Sequence, residues 1–283
     1  MIIWLASYPK SGNTYVRAFL SAYYFSENGN FDFSQIKNID QFPHEKFFKQ
    51  KVNSMSEASK QWMTLQREIT QNKKIKFFKT HSFLGNYEGN IFTSPETTLG
   101  AIYIIRDPRN VLTSIKNHFS LEDDKALKMI TDKKKWLMSN NGSYASYTYI
   151  SSWSNNYLSW LRNNQFRRLF VKYEDLITNK YETFRDIIVF TNTLMNRTEG
   201  VNKSKLQKAI ETTNFNVLKK KEISETFDGS ESGFKRWRKF HSENKNLFFN
   251  LGPENNWRKI LKKEISNKLE KSFEKEMKYF GYI

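Results

Sequence analysis

Four short and mostly apolar runs of residues constrain the fold of this chain more than any other feature of its sequence. The runs cover residues 2–7, 75–78, 101–105 and 168–173. Apolar residues at helical spacing follow the first, third and fourth runs. Short strands that are nearly all apolar are typical of a parallel sheet covered on both faces. The sequence therefore predicts an α/β fold with three layers and a central, mostly parallel sheet.

Polar residues follow each of the four runs. They are YPKSGNT at residues 8–14, KTH at 79–81, RDP at 106–108 and EDL at 174–176. In open α/β sheets, ligands bind at the carboxyl ends of the strands. We therefore expect these four segments to meet at one edge of the sheet and to form a single ligand site.

The turn at residues 8–14 has the chemistry of an anion site. It lies between a predicted strand and a predicted helix, where successive backbone N–H groups can bind phosphate. Gly12 allows close approach of the backbone, Lys10 adds a positive charge, and the hydroxyls of Ser11 and Thr14 can donate to oxygens. The first glycine of the GxxxxGKS/T loop of nucleotide triphosphatases is absent. An ordinary strand-to-helix turn with a stray lysine is the alternative interpretation.

Arg106 and Ser114 flank the start of the helix that follows the third run. This helix is expected to begin near Pro108, because proline is favoured at the first helical position. The pair can hold a second phosphate, although an Arg-Asp-Pro turn also occurs for structural reasons alone. One nucleotide can occupy both places only if the pair lies close to the first turn. The turn must also not be filled by side chains.

His81 is the one histidine of four that ends a predicted central strand. A lone histidine is often structural, but this position at the ligand edge favours a catalytic role. The nearby Lys10 and Lys79 would lower the pKa of the imidazole and keep it neutral, as a general base requires.

Taken together, the four segments resemble the cytosolic-type family of PAPS-dependent sulfotransferases, in a bacterial-like form. PAPS is 3′-phosphoadenosine-5′-phosphosulfate, and PAP is its desulfated product. The segments occur in the order of the family and at its approximate spacing, and the likeness runs from residue 2 to about 220. The resemblance implies a fold like that of P-loop kinases. It also implies transfer of a sulfuryl group from PAPS to a hydroxyl or amine, without a metal.

The resemblance also implies roles for individual residues. His81 would take the proton of the acceptor, Lys10 would grip the 5′-phosphosulfate, and Lys79 would assist charge at the transferring group. Arg106 and Ser114 would hold the 3′-phosphate, and several aromatic residues would contact the adenine. The full implied donor-binding set is Lys10, Ser11, Gly12, Asn13, Thr14, Tyr15, Arg106, Ser114, Tyr173, Thr213, Phe215 and Arg238.

Three positions in this set depart from the pattern of the family. Asn13 replaces a threonine, although its amide can still donate a hydrogen bond. Tyr15 stands where the family usually has a tryptophan that stacks on adenine. Residues 232–238 keep only the end of a late glycine–tryptophan motif, in which Arg238 is the candidate contact.

The composition narrows the possible partners and chemistry. The net charge of +17 favours anionic partners, although a biased composition can produce the same charge. The chain has no cysteine, which excludes disulfides, thiolate catalysis and cysteine-based zinc sites. No apolar run is long enough to cross a membrane, and the N-terminus lacks the basic region of a signal peptide. We therefore expect a cytoplasmic protein, and the lack of a recognised motif argues against nucleic acid as the partner.

We expect one domain over residues 1–283, with variable loops near 26–72, 121–150 and 222–256 on the acceptor side. The acceptor would be a small molecule or a glycan, and an anionic acceptor would suit the charge of the chain. Two other functions stay open at this point. One is a P-loop-type nucleotide kinase or phosphotransferase, which would need Mg²⁺. The other is a non-catalytic basic protein that binds nucleic acid or glycan.

Overall fold

The computed structural model describes residues 1–140, 145–224 and 247–283. Its main feature is a parallel sheet of five strands in the order β2-β3-β1-β6-β9. Two small antiparallel pairs, β4-β5 and β7-β8, lie outside this sheet. The strands are β1 (Ile2–Ser7), β2 (Asp40–Gln41), β3 (Lys76–Thr80), β4 (Asn86–Tyr87), β5 (Asn90–Ile91), β6 (Thr98–Ile105), β7 (Trp136–Asn140), β8 (Ala145–Tyr149) and β9 (Arg167–Lys172).

Helices cover both faces of the sheet, so the predicted α/β architecture of three layers is confirmed. They are α1 (Asn13–Phe25), α2 (Met55–Thr70), α3 (Pro108–Phe119), α4 (Asp123–Thr131), α5 (Trp153–Leu161), α6 (Tyr173–Thr178), α7 (Lys180–Leu194), α8 (Lys203–Thr212), α9 (Phe215–Ser224), α10 (Trp257–Ile260), α11 (Lys263–Ser272) and α12 (Glu274–Tyr279). Within the described ranges, none of these helices combines the length and the apolarity needed to span a bilayer.

The central strand β1 shows how the sequence places the sheet. All six of its residues are buried, because β3 and β6 flank it and helices cover it from both sides. Ile3 and Leu5 face the core that contains α1 and α7, whereas Ile2 and Trp4 face the opposite core with α2 and α3. This alternation is the period of two that a strand imposes on its side chains.

The four predicted apolar runs coincide with β1, β3, β6 and β9, with small differences at their ends. The second run extends further than predicted, because Lys79 and Thr80 continue the strand and pair with Leu5 and Ala6. The two-residue edge strand β2 was not predicted. It pairs with β3 in parallel and brings Gln41 opposite Lys79.

The end of the chain fixes two of the loops at the ligand edge. Arg109, which is 3% exposed, donates to Asp107, Glu270 and the backbone oxygen of Tyr282. The Tyr282 hydroxyl donates to Glu174, whose carboxylate also accepts the backbone N–H of Asp107. The segments after β6 and β9 are therefore held together by the C-terminal residues.

Candidate active site

The turn between β1 and α1 has an unusual backbone. Lys10 has a φ of +66°, and Gly12 has a φ of +100° in the left-handed region. A Cβ atom on Gly12 would lie 2.4 Å from the ring of Tyr173, so both the conformation and the space require glycine here. No side chain caps α1. Among the described residues, its first N–H groups are therefore left for an anion.

Two polar side chains of this turn behave differently. The Asn13 amide donates to the backbone oxygen of Leu5 (2.9 Å) and to the Ser7 hydroxyl (3.2 Å). Asn13 therefore secures the end of β1, where the sequence suggested a donor to the ligand. The Ser11 hydroxyl is fully buried and has no hydrogen-bond partner among the residues that the structure describes. A buried hydroxyl without a hydrogen-bond partner lowers the stability of the fold unless a ligand forms a hydrogen bond with it.

Arg106, at the end of β6, lies directly against the turn. Its Nη1 donates to the backbone oxygen of Lys10 at 3.1 Å, and its guanidinium lies 4.1 Å from the ring centroid of Tyr173. Its Nε is buried, and no described residue accepts a hydrogen bond from it. Of the Arg106–Ser114 pair that was expected close to the turn, Arg106 is its neighbour. Ser114 lies further along α3 and is partly exposed.

The requirement of an open turn is not met. The Nζ of Lys10 lies 4.2 Å from the ring centroid of Phe248. The Glu222 carboxylate accepts the backbone N–H groups of Phe248 (2.7 Å) and Phe249 (2.9 Å), and the Gly252 oxygen accepts from Arg106 (3.3 Å). Residues 248–252, hereafter the strap, thus cover both Lys10 and Arg106. A ligand of the Lys10 amine would have to displace the ring of Phe248.

The charge of Lys10 is strongly affected by this cover. Burial lowers the pKa of its amine to about 7, and the positive charge of Arg106 acts in the same direction. The Glu222 carboxylate opposes the shift but does not cancel it. Near neutral pH, Lys10 is therefore poised to gain or lose its proton according to what lies next to it.

His81 follows β3 directly and has a defined tautomer. Its Nδ1 lies 2.8 Å from the backbone oxygen of Ser7. A carbonyl oxygen can only accept, so Nδ1 carries the hydrogen and the lone pair of Nε2 is left to take a proton. The Asn156 amide donates to the backbone oxygen of His81 at 3.0 Å and fixes this segment.

The pKa of His81 is held well below its usual range, mainly by burial and then by the charges of Lys79 and Lys10. The direction is the one expected from the sequence, but burial is the largest cause. A neutral imidazole with a free Nε2 has the form that a general base needs.

Lys79 lies beside His81 and points toward the edge strand. Its Nζ donates to the Gln41 Oε1 at 3.2 Å. Burial, together with the positive charges of Arg17 and Lys10, lowers the pKa of its amine to about 7. Neither Arg17 nor Gln41 was singled out from the sequence, because no local pattern connects them to Lys79.

Several implied donor contacts lie near this group. Tyr173 adjoins both Gly12 and Arg106. Phe215 lies beneath the strap and packs against Phe249 at 5.9 Å between ring centroids. Arg238 lies outside the described residues.

Tyr15 and Thr213 are engaged within the protein. The ring of Tyr15 is 7% exposed and meets Phe184 edge-on at 5.3 Å. The Thr213 hydroxyl donates to the backbone oxygen of Ala209 at 2.6 Å. Contacts of these two residues with adenine stay predictions.

Comparison with known protein families gives one match over nearly the whole chain. The family model described as "Sulfotransferase domain" matches residues 2–281. A search of curated protein sequences found no match.

Comparison with solved structures gives 52 matching chains. One is retinol dehydratase in complex with androsterone and inactive cofactor PAP, with 15% identity, a TM-score of 0.59 and coverage of 98% of this chain and 80% of that chain. A second is mouse sulfotransferase SULT7A1 complexed with PAP, with 16% identity, a TM-score of 0.56 and coverage of 97% and 83%. A third is retinol dehydratase in a complex with retinol and PAP, with 16% identity, a TM-score of 0.57 and coverage of 98% and 81%. At these identities the likeness concerns the fold, and it confirms the predicted P-loop-kinase-like architecture.

Proposed function

We propose that this chain, which belongs to the sulfotransferase domain family, transfers a sulfuryl group from PAPS to a hydroxyl or amine of an acceptor. The match of the family model confirms the family resemblance inferred from the sequence motifs. The observation that carries the proposal is the convergence of Lys10, Lys79 and His81 at the carboxyl ends of β1 and β3. The charge of Lys10 lowers the pKa of both Lys79 and His81, and the charge of Lys79 lowers the pKa of His81.

The turn and Arg106 are suited to an anionic donor. Within the described part of the chain, the Ser11 hydroxyl and the Arg106 Nε are buried without partners, and α1 has no side-chain cap. Such groups gain free energy when phosphate oxygens accept their hydrogen bonds. That the solved relatives named above contain PAP supports the choice of nucleotide. Binding of the 3′-phosphate by Arg106 and Ser114 is part of this proposal.

The reaction would break the bond between the sulfur and the leaving 5′-phosphate oxygen of PAPS. A new bond would form between that sulfur and the acceptor oxygen or nitrogen, and the acceptor proton would pass to the Nε2 of His81. Lys10 would neutralise the leaving oxygen, and Lys79 would stabilise charge on the transferring group. Positioning and electrostatic stabilisation supply most of the rate in chemistry of this kind.

The surroundings of His81 favour an acceptor with an apolar part. Phe83 follows His81 closely, and its backbone N–H donates to the oxygen of Tyr149 at 2.7 Å. The ring of Tyr149 contacts those of Phe83 (5.5 Å) and Tyr87 (5.2 Å). We propose that these aromatic residues border the acceptor. The single domain over residues 1–283, the cytoplasmic location and an anionic acceptor stay predictions.

The test is transfer of labelled sulfate from PAPS to a panel of phenols, aliphatic alcohols, amines and acidic glycans. We expect a labelled product and PAP in equal amounts. In the His81→Ala variant, turnover should fall by roughly 10²–10⁴-fold because the general base is lost. Affinity for PAP, measured by calorimetry, should be unchanged, since PAP does not need the base.

Three outcomes would contradict the proposal. Full turnover in purified His81→Ala would remove His81 from the mechanism. Activity that EDTA abolishes would favour the kinase or phosphotransferase, which depends on Mg²⁺. Tight and salt-dependent binding of generic DNA, with no affinity for PAP, would favour the basic binding protein instead.

A further inference from the structure

Lys79 is a partly buried lysine whose hydrogen-bond partner is neutral. Its Nζ donates to the amide oxygen of Gln41 at 3.2 Å. Among the described ion pairs, none includes Lys79, and the charged groups that act on it, Arg17 and Lys10, are both positive. A buried lysine usually has a carboxylate partner. The absence of one at this place therefore calls for a physical reason.

The backbone of Gln41 is held firmly in position. Strand β2 runs parallel to β3 with Gln41 opposite Lys79, and the backbone N–H of Phe42 donates to the oxygen of Lys79 at 2.9 Å. Arg17 secures the approach to β2, since its guanidinium donates to the backbone oxygens of Ile39 (2.6 Å) and Ile36 (3.0 Å). The main chain therefore fixes the distance between the two side chains.

An amide and a carboxylate would act differently on the lysine. An amide oxygen accepts a hydrogen bond and sets the direction of Nζ without cancelling its charge. A carboxylate would neutralise that charge and would raise the pKa of the amine. It would also compete with any anionic group that approaches Lys79.

We propose that Gln41 is a positioning residue for sulfuryl transfer, whose amide directs the Lys79 ammonium and leaves its charge for the transferring group. Arg17 supports this role from α1 by holding the chain before β2. The inference rests on the proposed function and extends it to residues outside the sequence motifs.

The other titratable groups around this pair are accounted for. Lys10 reaches Lys79 from the turn after β1, and His81 follows it two residues on. Asp40, beside Gln41 in β2, is paired with Lys46 at 2.7 Å. Arg17 is the remaining charged group, and it acts on Lys79 and is itself acted on by Asp40. A carboxylate placed at residue 41 would therefore act on Lys79 and on Arg17.

The test compares Gln41→Leu and Gln41→Glu with Gln71→Glu, a control at the exposed end of α2. Gln41→Leu should lower kcat by about 10- to 100-fold, because Nζ loses its direction. Gln41→Glu should lower kcat as well and should move the alkaline limb of the pH–rate profile upward. Neither should change PAP affinity more than about twofold, since PAP lacks the sulfuryl group.

A second measurement needs no substrate. The pH dependence of acetic anhydride labelling at Lys79, read by mass spectrometry, reports the ionisation of its amine. Gln41→Glu should move the midpoint upward, whereas Gln71→Glu should leave it in place. Wild-type kcat in Gln41→Leu, or an unmoved midpoint in Gln41→Glu, would overturn the inference. A parallel loss of kcat and PAP affinity would overturn it too, because Gln41 would then be structural.

The failure of the proposed function is distinguishable from these results. If the proposed function is wrong, the wild-type protein will neither bind PAP nor transfer sulfate, even if the labelling midpoint moves in Gln41→Glu. That result would refute the proposed function and this inference with it. If the wild-type enzyme is active and Gln41→Leu has the same kcat, only this inference is refuted.

Discussion

Lys10 and Lys79 lie on opposite sides of the proposed reaction, and the comparison of their surroundings explains how the site is organised. Burial lowers the pKa of each amine to about 7. Lys10 is covered by the ring of Phe248, which belongs to the strap. Lys79 is held by the amide of Gln41, which belongs to the main sheet.

The two partners differ in how easily they can be displaced. The strap contacts Lys10 through the ring of Phe248 and Arg106 through the backbone oxygen of Gly252, which are the two groups that an arriving phosphate would have to replace. Strand β2 is bonded to β3 through the backbone and anchored by Arg17. We infer that the donor end of the site opens when the nucleotide binds, whereas the sulfuryl end is already arranged.

The largest effect on PAP affinity should come from removing Lys10, the lysine of the donor end. Lys10→Ala should weaken PAP binding by about 10- to 100-fold, because the free energy of one hydrogen bond to a charged group corresponds to a factor of this size. It should also lower the transfer rate, because the leaving oxygen loses its positive partner. Calorimetry and single-turnover rates measure both, with Lys60→Ala on the exposed side of α2 as control. Unchanged affinity and rate would show that the turn is not the phosphate site.

The next effect is a dependence of PAP affinity on pH. The pKa of Lys10 is about 7 in the free protein, and a bound phosphate raises it, so binding takes up a proton above pH 7. Affinity should therefore be greatest near or below pH 7 and should fall by up to about 10-fold per pH unit above it. Dissociation constants between pH 7 and 9 measure the slope, and Lys10→Ala should flatten it. A slope that Lys10→Ala leaves intact would assign the proton to another group.

The difference between the two lysines also shows what sequence can predict. Lys10, Lys79, His81 and Arg106 could be placed at one edge because each follows a local apolar run, and parallel strands end together. Gln41 could not be placed, since its strand has two residues and exists only through pairing with β3. The same holds for Glu222 and Phe248, which meet across 26 positions of the chain.

The Asn13 side chain shows a further limit. Its position in the turn suggested a donor to the ligand, and residue type alone cannot distinguish that role from a bond to Leu5. Burial is also invisible to a local pattern. The lowered pKa of His81 could be expected from two neighbouring lysines, but its largest cause is the packing around the ring.

The smallest effect, and the most direct test of the comparison, concerns Phe248. Phe248→Ala removes the ring that lies over Lys10, so the donor no longer has to displace it. A cation–π contact at such a place contributes about 0.5–1 kcal/mol, so PAP should bind about 2- to 5-fold more tightly. Phe25→Ala, at the exposed end of α1, is the matched control for losing a phenyl ring. Weaker binding in Phe248→Ala would mean that the ring contacts the nucleotide, and the strap would then be part of the donor site instead of its cover.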